Sequence, residues 1–220
     1  MHGLFRSLAL CAALALSGSP ANAGASAAMT AEEAIDAYES GQLEDAALLF
    51  ERAARMGNRL AQFNYAMMLY RGETKSTEQH ATWRWLRRAA TAGLPQAQFN
   101  FGLLYDHGDG VKKSPTVAAE WYRRAAEQGH RDAMVSLASM YFVGHGVTAD
   151  DATAARWYLA AARAGDAGSQ YIIASMYEKG EGIAQDARLA AHWYLQAAMQ
   201  GDPVAQAKYS ALQPASADAE

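Results

Sequence analysis

Residues 97–129 read AQFNFGLLYDHGDGVKKSPTVAAEWYRRAAEQG, and the same pattern returns twice more at intervals of 36 residues. Tryptophan keeps this period at four positions and glycine keeps it at five. These positions are Trp85, Trp121, Trp157 and Trp193, and Gly57, Gly93, Gly129, Gly165 and Gly201. A repeat of this length without gaps indicates a structural unit that stacks on copies of itself.

Each unit contains two predicted helices. In the quoted unit, the second helix has apolar residues spaced i, i+3, i+4 and i+7, which places them on one helical face. These residues are Ala118, Trp121, Tyr122 and Ala125. Ser114 is the predicted N-cap of this helix, because its hydroxyl accepts a hydrogen bond from a free amide of the first turn. Gly108 and Gly110 lie between the two helices and permit a turn with positive φ.

The repeats also predict the fold class and the domain boundaries. A helical pair this small cannot bury its apolar stripe alone, so consecutive pairs must stack around a shared core. We therefore expect an all-α protein, an α/α solenoid of helix-turn-helix repeats. Its predicted parts are four repeats at 58–93, 94–129, 130–165 and 166–202, a divergent N-terminal helical pair at 29–57, a C-terminal capping helix at 203–213 and a frayed tail at 214–220.

Composition excludes several classes of protein. The chain is 51% hydrophobic and 19% charged, which is typical of a globular protein. Its formal net charge of −4 opposes nonspecific binding to nucleic acid. Cys11 is the single cysteine, so an intrachain disulfide and a zinc site built on thiolates are both excluded.

The first 23 residues have the pattern of a signal peptide. One basic residue, Arg6, precedes an apolar run over residues 8–16, and Ala21-Asn22-Ala23 offers a cleavage site between small residues. The apolar run is too short to cross a bilayer. We expect cleavage after Ala23 and a periplasmic or secreted protein without a transmembrane segment in the mature chain.

The repeated residues resemble those of a known family. The pattern Ala-x3-(Leu/Phe)-(Gly/Ala)-x2-Tyr-x2-Gly-x-Gly-Val, followed by Ala-x2-Trp-Tyr-x2-Ala-Ala-x2-Gly, is similar to that of the Sel-one-like repeats, relatives of the tetratricopeptide repeats. The first repeat departs from it, with Leu69, Thr74 and Lys75 in place of Tyr, the second Gly and Val. The resemblance implies a right-handed superhelix that acts as an adaptor between proteins, and it implies binding rather than a reaction.

No catalytic motif accompanies the repeats. The sequence lacks G-x-S-x-G, S-x-x-K, H-E-x-x-H and phosphate-loop patterns. Asp109, His145 and Glu181 recur at one loop position, but stacked helices lie about 10 Å apart, which is too far for a shared metal ion. We therefore expect neither enzymatic activity nor a cofactor or a metal.

A groove along the first helices is the predicted partner site. Once the core positions are set aside, these helices present a mixed face of amide, aromatic and charged groups, which suits an extended peptide or a protein loop. The predicted partner-binding residues are Asn64, Tyr70, Arg71, Asn100, His107, Phe142 and Lys179. In solenoids of this type the first helices line the concave side. The alternative is that the aromatic residues pack between helices and the polar ones are merely solvated.

A second predicted surface is basic. Arg87 and Arg88 recur one repeat later as Arg123 and Arg124. Such a patch could bind an acidic protein, an anionic polysaccharide or phospholipid headgroups. The alternative is a run of solvated charges on the second helices.

These patterns together predict an exported, non-enzymatic interaction scaffold that binds a peptide or protein segment and regulates an envelope complex or sensor. One alternative is binding of cell-wall glycan or exopolysaccharide, with the aromatic residues of the groove as its determinants. The tryptophan column could be a stacking platform for sugar rings, but its repeated helical position favours core packing. A second is a β-lactam-interacting, hydrolase-like repeat protein. The absence of S-x-x-K and of further cysteines disfavours the second.

Overall fold

The computed structural model describes residues 21–75 and 80–212, with the side chains of residues 21–23 excepted. Every regular element in these ranges is an α-helix. The helices are α1 Ala21–Glu39, α2 Leu43–Arg55, α3 Arg59–Arg71, α4 Ala81–Thr91, α5 Pro95–His107, α6 Pro115–Glu127, α7 Arg131–Val143, α8 Asp151–Arg163, α9 Ala167–Lys179, α10 Ala187–Met199 and α11 Pro203–Leu212. The all-α prediction is confirmed. The predicted signal peptide lies outside the described residues apart from its last three, and the predicted tail at 214–220 lies wholly outside them.

The helix ends lie where the repeated residues predict them. Asp150 accepts hydrogen bonds from the amides of Ala152 and Thr153 at the start of α8, and Ser114 accepts one from Val117 at the start of α6. Gly144 ends α7 with a φ of 73°, in the left-handed region that glycine adopts at low cost. Side-chain caps and glycine ends therefore set the helix lengths.

His130 has a structural role that the sequence did not reveal. Its Nδ1 accepts a hydrogen bond from the amide of Ala133 at 3.3 Å, which makes it the N-cap of α7. Its ring stacks on Phe99 with 4.7 Å between centroids. Burial lowers the pKa of His130, which favours the neutral imidazole that a capping acceptor requires.

The chain forms two compact units, one up to Ala97 and the other from Gln98 onward. In the second unit, consecutive helices pack around two apolar clusters, and Trp157 packs against both of them. In the first unit, Trp85 is 7% exposed and its ring meets that of Tyr65 edge-on at 5.9 Å. Both tryptophans thus belong to the packing between helices, as the core interpretation of this column predicts.

Within residues 21–75 and 80–212, each helix is either too short or too polar to cross a lipid bilayer.

Candidate interaction surface

Two adjacent apolar side chains are exposed at the C-terminal end of α7. Phe142 is 45% exposed and Val143 is 65% exposed. Earlier in α7, Leu137, Ala138 and Met140 are buried, so these residues fix the helix in the core while its last two residues are exposed. We refer to Phe142 and Val143 as the α7 edge.

The repeats before and after the α7 edge carry carboxylates at the position of Phe142. Asp106 stands there in the preceding repeat and Glu178 in the following one. The Tyr194 hydroxyl donates a hydrogen bond of 2.6 Å to Glu178, and that of Tyr122 donates one of 3.4 Å to Asp106. Phe142 cannot accept such a bond. The α7 edge is therefore an apolar position between two repeats that carry a hydrogen-bonded carboxylate at the equivalent place.

Each of these carboxylates also has a basic partner. The Nε2 of His145 lies 2.9 Å from Oδ1 of Asp106, and the Lys208 ammonium lies 3.0 Å from Oε1 of Glu178. The hydrogen bond from Tyr194, assisted by Lys208, lowers the pKa of Glu178. The polar groups beside the α7 edge are thus satisfied within the chain, which leaves its apolar surface as the open feature.

Burial also acts on the two tyrosines. Desolvation raises the pKa of Tyr122 and of Tyr194, and the carboxylate beside each hydroxyl raises it further. Both hydroxyls therefore stay protonated and donate at physiological pH. Sequence analysis missed this pairing, although its signal was present: an acid lies 16 residues before the tyrosine in both repeats.

The structure corrects part of the predicted groove. Asn64 is only 2% exposed and Asn100 only 8%, so neither amide lies on an open surface. The physical reason is clearest at Asn64, because every residue over 61–68 of α3 is buried. A helix covered on all sides has no open polar face, whatever its sequence pattern suggests.

The remaining predicted groove residues fall into two groups. Arg71 donates a hydrogen bond of 3.3 Å to the Tyr38 hydroxyl and lies 3.9 Å from Glu73, so it is engaged inside the first unit. The exposed residues are Tyr70, His107, Phe142 and Lys179. The binding role of all of these residues stays a prediction.

The four arginines of the predicted basic patch each contact a neighbouring side chain. Arg87 lies over the ring of Trp83, Arg88 over Trp85 at 4.7 Å and Arg124 over Trp121 at 4.4 Å. Arg123 pairs with Glu127 at 3.2 Å. A guanidinium above an indole is attracted by the π face of the ring. Arg88 and Arg124 therefore repeat one structural contact, which a run of freely solvated charges would not do.

The three residues that recur at one loop position are placed differently from one another. His145 contacts Asp106, Glu181 lies 3.6 Å from Lys179, and Asp109 is exposed. In the part of the chain that the structure describes, no three His, Cys, Asp or Glu side chains come together to hold a metal ion.

Known proteins share this arrangement. The sequence model of the Sel1 repeat matches residues 39–58, 59–94, 95–130, 131–166 and 167–202. No curated protein matches the chain.

Similar solved structures include the following three. A protective antigen of uropathogenic Escherichia coli with an SLR fold is 32% identical, with a TM-score of 0.78 over 84% of this chain and 41% of that one. A Sel1 repeat protein from Oxalobacter formigenes is 30% identical, with a TM-score of 0.76 over 82% and 74% of the two chains. A Klebsiella pneumoniae Sel1 repeat protein, 18% identical with a TM-score of 0.51 over 86% and 95%, shares the fold. The present chain thus spans well under half of the Escherichia coli structure.

Proposed function

Because the chain belongs to the Sel1 repeat family, we propose that it is an exported interaction scaffold that binds a protein segment at the α7 edge. Sel1 repeat proteins are generally protein-interaction scaffolds, and the family is typically non-enzymatic. The observation that carries the proposed site is the exposure of Phe142 and Val143 at a position where neighbouring repeats hold hydrogen-bonded carboxylates.

The chemistry of the α7 edge favours an apolar anchor on the partner. Binding of an apolar side chain releases water from Phe142 and Val143, and such desolvated aromatic contacts dominate protein interfaces. The paired polar groups of Asp106 and Glu178 on either side supply a rim that needs no further partner. The partner expected here is a protein segment that inserts an aliphatic or aromatic side chain and is engaged in regulating an envelope complex or sensor.

The test replaces the α7 edge with the residues of the following repeat. The double variant Phe142→Glu/Val143→Lys places the residue types of Glu178 and Lys179 at the equivalent positions one repeat earlier. The same fold accommodates these two residues in the following repeat. We expect the variant to fold. The amount of partner that it captures from envelope extracts should fall at least about tenfold, which corresponds to the loss of a hot spot of about 1.4 kcal/mol. Capture is quantified by mass spectrometry.

A matched control changes exposed apolar residues elsewhere. Met199 and Val204 are 74% and 55% exposed, and Met199→Lys/Val204→Glu introduces the same two charges. Its partners should match those of the unchanged chain. Equal capture by all three proteins would contradict binding at the α7 edge, and retention on cell-wall sacculi alone would favour the glycan alternative.

Export is proposed from the first 23 residues. The basic start, the apolar run and the small residues at Ala21 and Ala23 support processing by a signal peptidase. Expression of the full chain in a bacterial host should yield a periplasmic or secreted product whose N-terminal residue is Gly24, as read by mass spectrometry. An uncleaved chain in the cytoplasmic fraction would contradict this proposal.

A further inference from the structure

The position of Phe142 is linked to the next repeat by a contact of fixed spacing. In the following repeat, Glu178 stands at this position and contacts Lys208, 30 residues later, with 3.0 Å between Oε1 and Nζ. The same spacing leads from Phe142 to Ile172. Ile172 lies on α9, is half-buried and packs against the apolar cluster that contains Tyr194. We refer to Phe142 and Ile172 as the apolar pair.

Successive repeats of the second unit dock on one another in the same way. A Cβ atom on Gly146 would lie 2.5 Å from the carbonyl carbon of Pro115, and one on Gly182 would meet the backbone of Asp151. The two glycines are 36 residues apart, and so are the two residues that they approach. The repeat of Ile172 therefore sits on the repeat of Phe142 as that repeat sits on the one before it, which places Ile172 beside Phe142.

The residues equivalent to the apolar pair are polar in the neighbouring repeats. They are Asp106 and Ser136 in the preceding place, and Glu178 and Lys208 in the following place. Both members change from polar to apolar together at the α7 edge. A matched change of this kind keeps the two side chains compatible with each other and removes every charge from the position.

The apolar pair leaves part of its surface open to water. Phe142 is 45% exposed, although Ile172 is the neighbour that the repeat geometry gives it. A contact that served only to hold the two helices together would bury more of the ring. The pair is thus a surface that a further apolar group can cover.

The tyrosine of this repeat needs no carboxylate at the position of Phe142. Burial raises the pKa of Tyr158, and a hydrogen bond with Ser139 opposes this rise. Ser139 therefore takes the place beside the Tyr158 hydroxyl that Asp106 and Glu178 take beside the tyrosines of their repeats. The polar group beneath the apolar pair is satisfied within the chain.

We propose that Ile172 is a further specificity-determining residue of the α7 edge, and that the partner segment carries two neighbouring apolar side chains, one for Phe142 and one for Ile172. This inference rests on the proposed function, because it names the partner chemistry of the same site. A polar side chain in the second place would lose its water against Ile172 without gaining a hydrogen bond, which disfavours it. The α7 edge continues onto Ile172, so a segment with a single apolar side chain covers only part of it.

The first test asks whether the two residues are adjacent, and it needs no partner. Phe142→Glu and Ile172→Lys copy the residue types of Glu178 and Lys208, and both are made singly and together. Urea unfolding measures the ratio of folded to unfolded chain for each variant. We expect this ratio in the double variant to be at least about twofold higher than the two single changes predict, as for an exposed ion pair. Strictly additive effects would overturn the placement.

The second test measures recognition with peptides. Random decapeptides displayed on phage are selected against the full chain, and the affinities of the enriched peptides are measured for each variant. Peptides whose binding is lost from Phe142→Glu/Val143→Lys should contain two apolar residues, adjacent or separated by one residue. Ile172→Lys should weaken these peptides at least about fivefold. Leu189→Lys, which adds the same charge at a residue of α10 that is 39% exposed, should bind them normally.

Alanine substitutions in the peptide assign its two side chains. Alanine in place of the residue that contacts Ile172 should weaken binding to the unchanged chain but alter binding to Ile172→Lys little, because that contact is already lost. Enrichment of peptides with a single apolar residue, or equal losses for this alanine peptide with both proteins, would overturn the proposal.

The outcomes separate this inference from the proposed function. Peptides that need the α7 edge but bind Ile172→Lys as well as the unchanged chain would overturn the role of Ile172 and leave the α7 edge in place. If no enriched peptide depends on the α7 edge, both proposals fail. Should Ile172→Lys fail to fold, Ile172→Ser, which copies Ser136 of the preceding repeat, takes its place in both tests.

Discussion

Alanine in place of Gly146 is expected to lower the free energy of unfolding by about 2–5 kcal/mol. Gly146 has a φ of 72°, a conformation that costs an L-residue about 1–2 kcal/mol. The added Cβ would also lie 2.5–2.7 Å from backbone and side-chain atoms of Pro115. Forced overpacking of this kind costs a further 1–3 kcal/mol or so. Urea unfolding followed by circular dichroism measures the difference.

Gly165 provides the control for this prediction. Its φ is 88°, and nothing lies within 4 Å of the position that its Cβ would occupy. Gly165→Ala therefore carries the backbone cost alone, about 1–2 kcal/mol. Similar losses in the two variants would show that the loop does not rest on Pro115.

The fold was predictable because the repeated residues are the ones that packing constrains. Gly144, Asp150 and Tyr158 have equivalents in the repeats before and after their own, because these repeats share a left-handed helix end, a side-chain N-cap and a buried ring. A period of 36 residues fixes which helices are adjacent before any distance is known. The same regularity carries little information about binding, because a partner contacts the residues that vary.

The exposure of the candidate binding residues was less predictable. Asn64 looks like a groove residue in sequence, yet it is buried because α3 is covered on all sides. The replacement of an acid by Phe142 is visible in the sequence, but its exposure depends on how α7 sits on its neighbours.

The contact made by the loop of the second unit shows a third kind of limit. Thr74 and Lys75 are visible in the sequence as departures from the repeat. The close approach of Gly146 to Pro115 in the second unit is reported by no sequence pattern.

Tyr122→Ala is expected to cost about 3–5 kcal/mol, as large truncations in a packed core do. Tyr122 is 1% exposed and lies 5.5 Å from Phe99 between ring centroids. Its ring fills the space beside Gly102, where a Cβ would lie 2.7 Å from two ring atoms. Alanine leaves that space empty, and the small residue opposite cannot fill it. The free energy of unfolding of the variant in urea measures the loss.

Tyr122→Phe removes the hydroxyl and keeps the ring, so it separates the contribution of the hydrogen bond from that of ring packing. The hydrogen bond to Asp106 is long, at 3.4 Å, and Asp106 keeps its contact with His145. The loss in free energy of unfolding should therefore be no more than about 1 kcal/mol. A loss in Tyr122→Phe as large as that in Tyr122→Ala would mean that the carboxylate pairing, and not ring packing, holds α5 to α6. The acids beside the α7 edge would then stabilise the packing of the two helices in their repeats. Phe142→Glu, which brings a carboxylate to the equivalent position in the repeat of Tyr158, would then be expected to stabilise the chain.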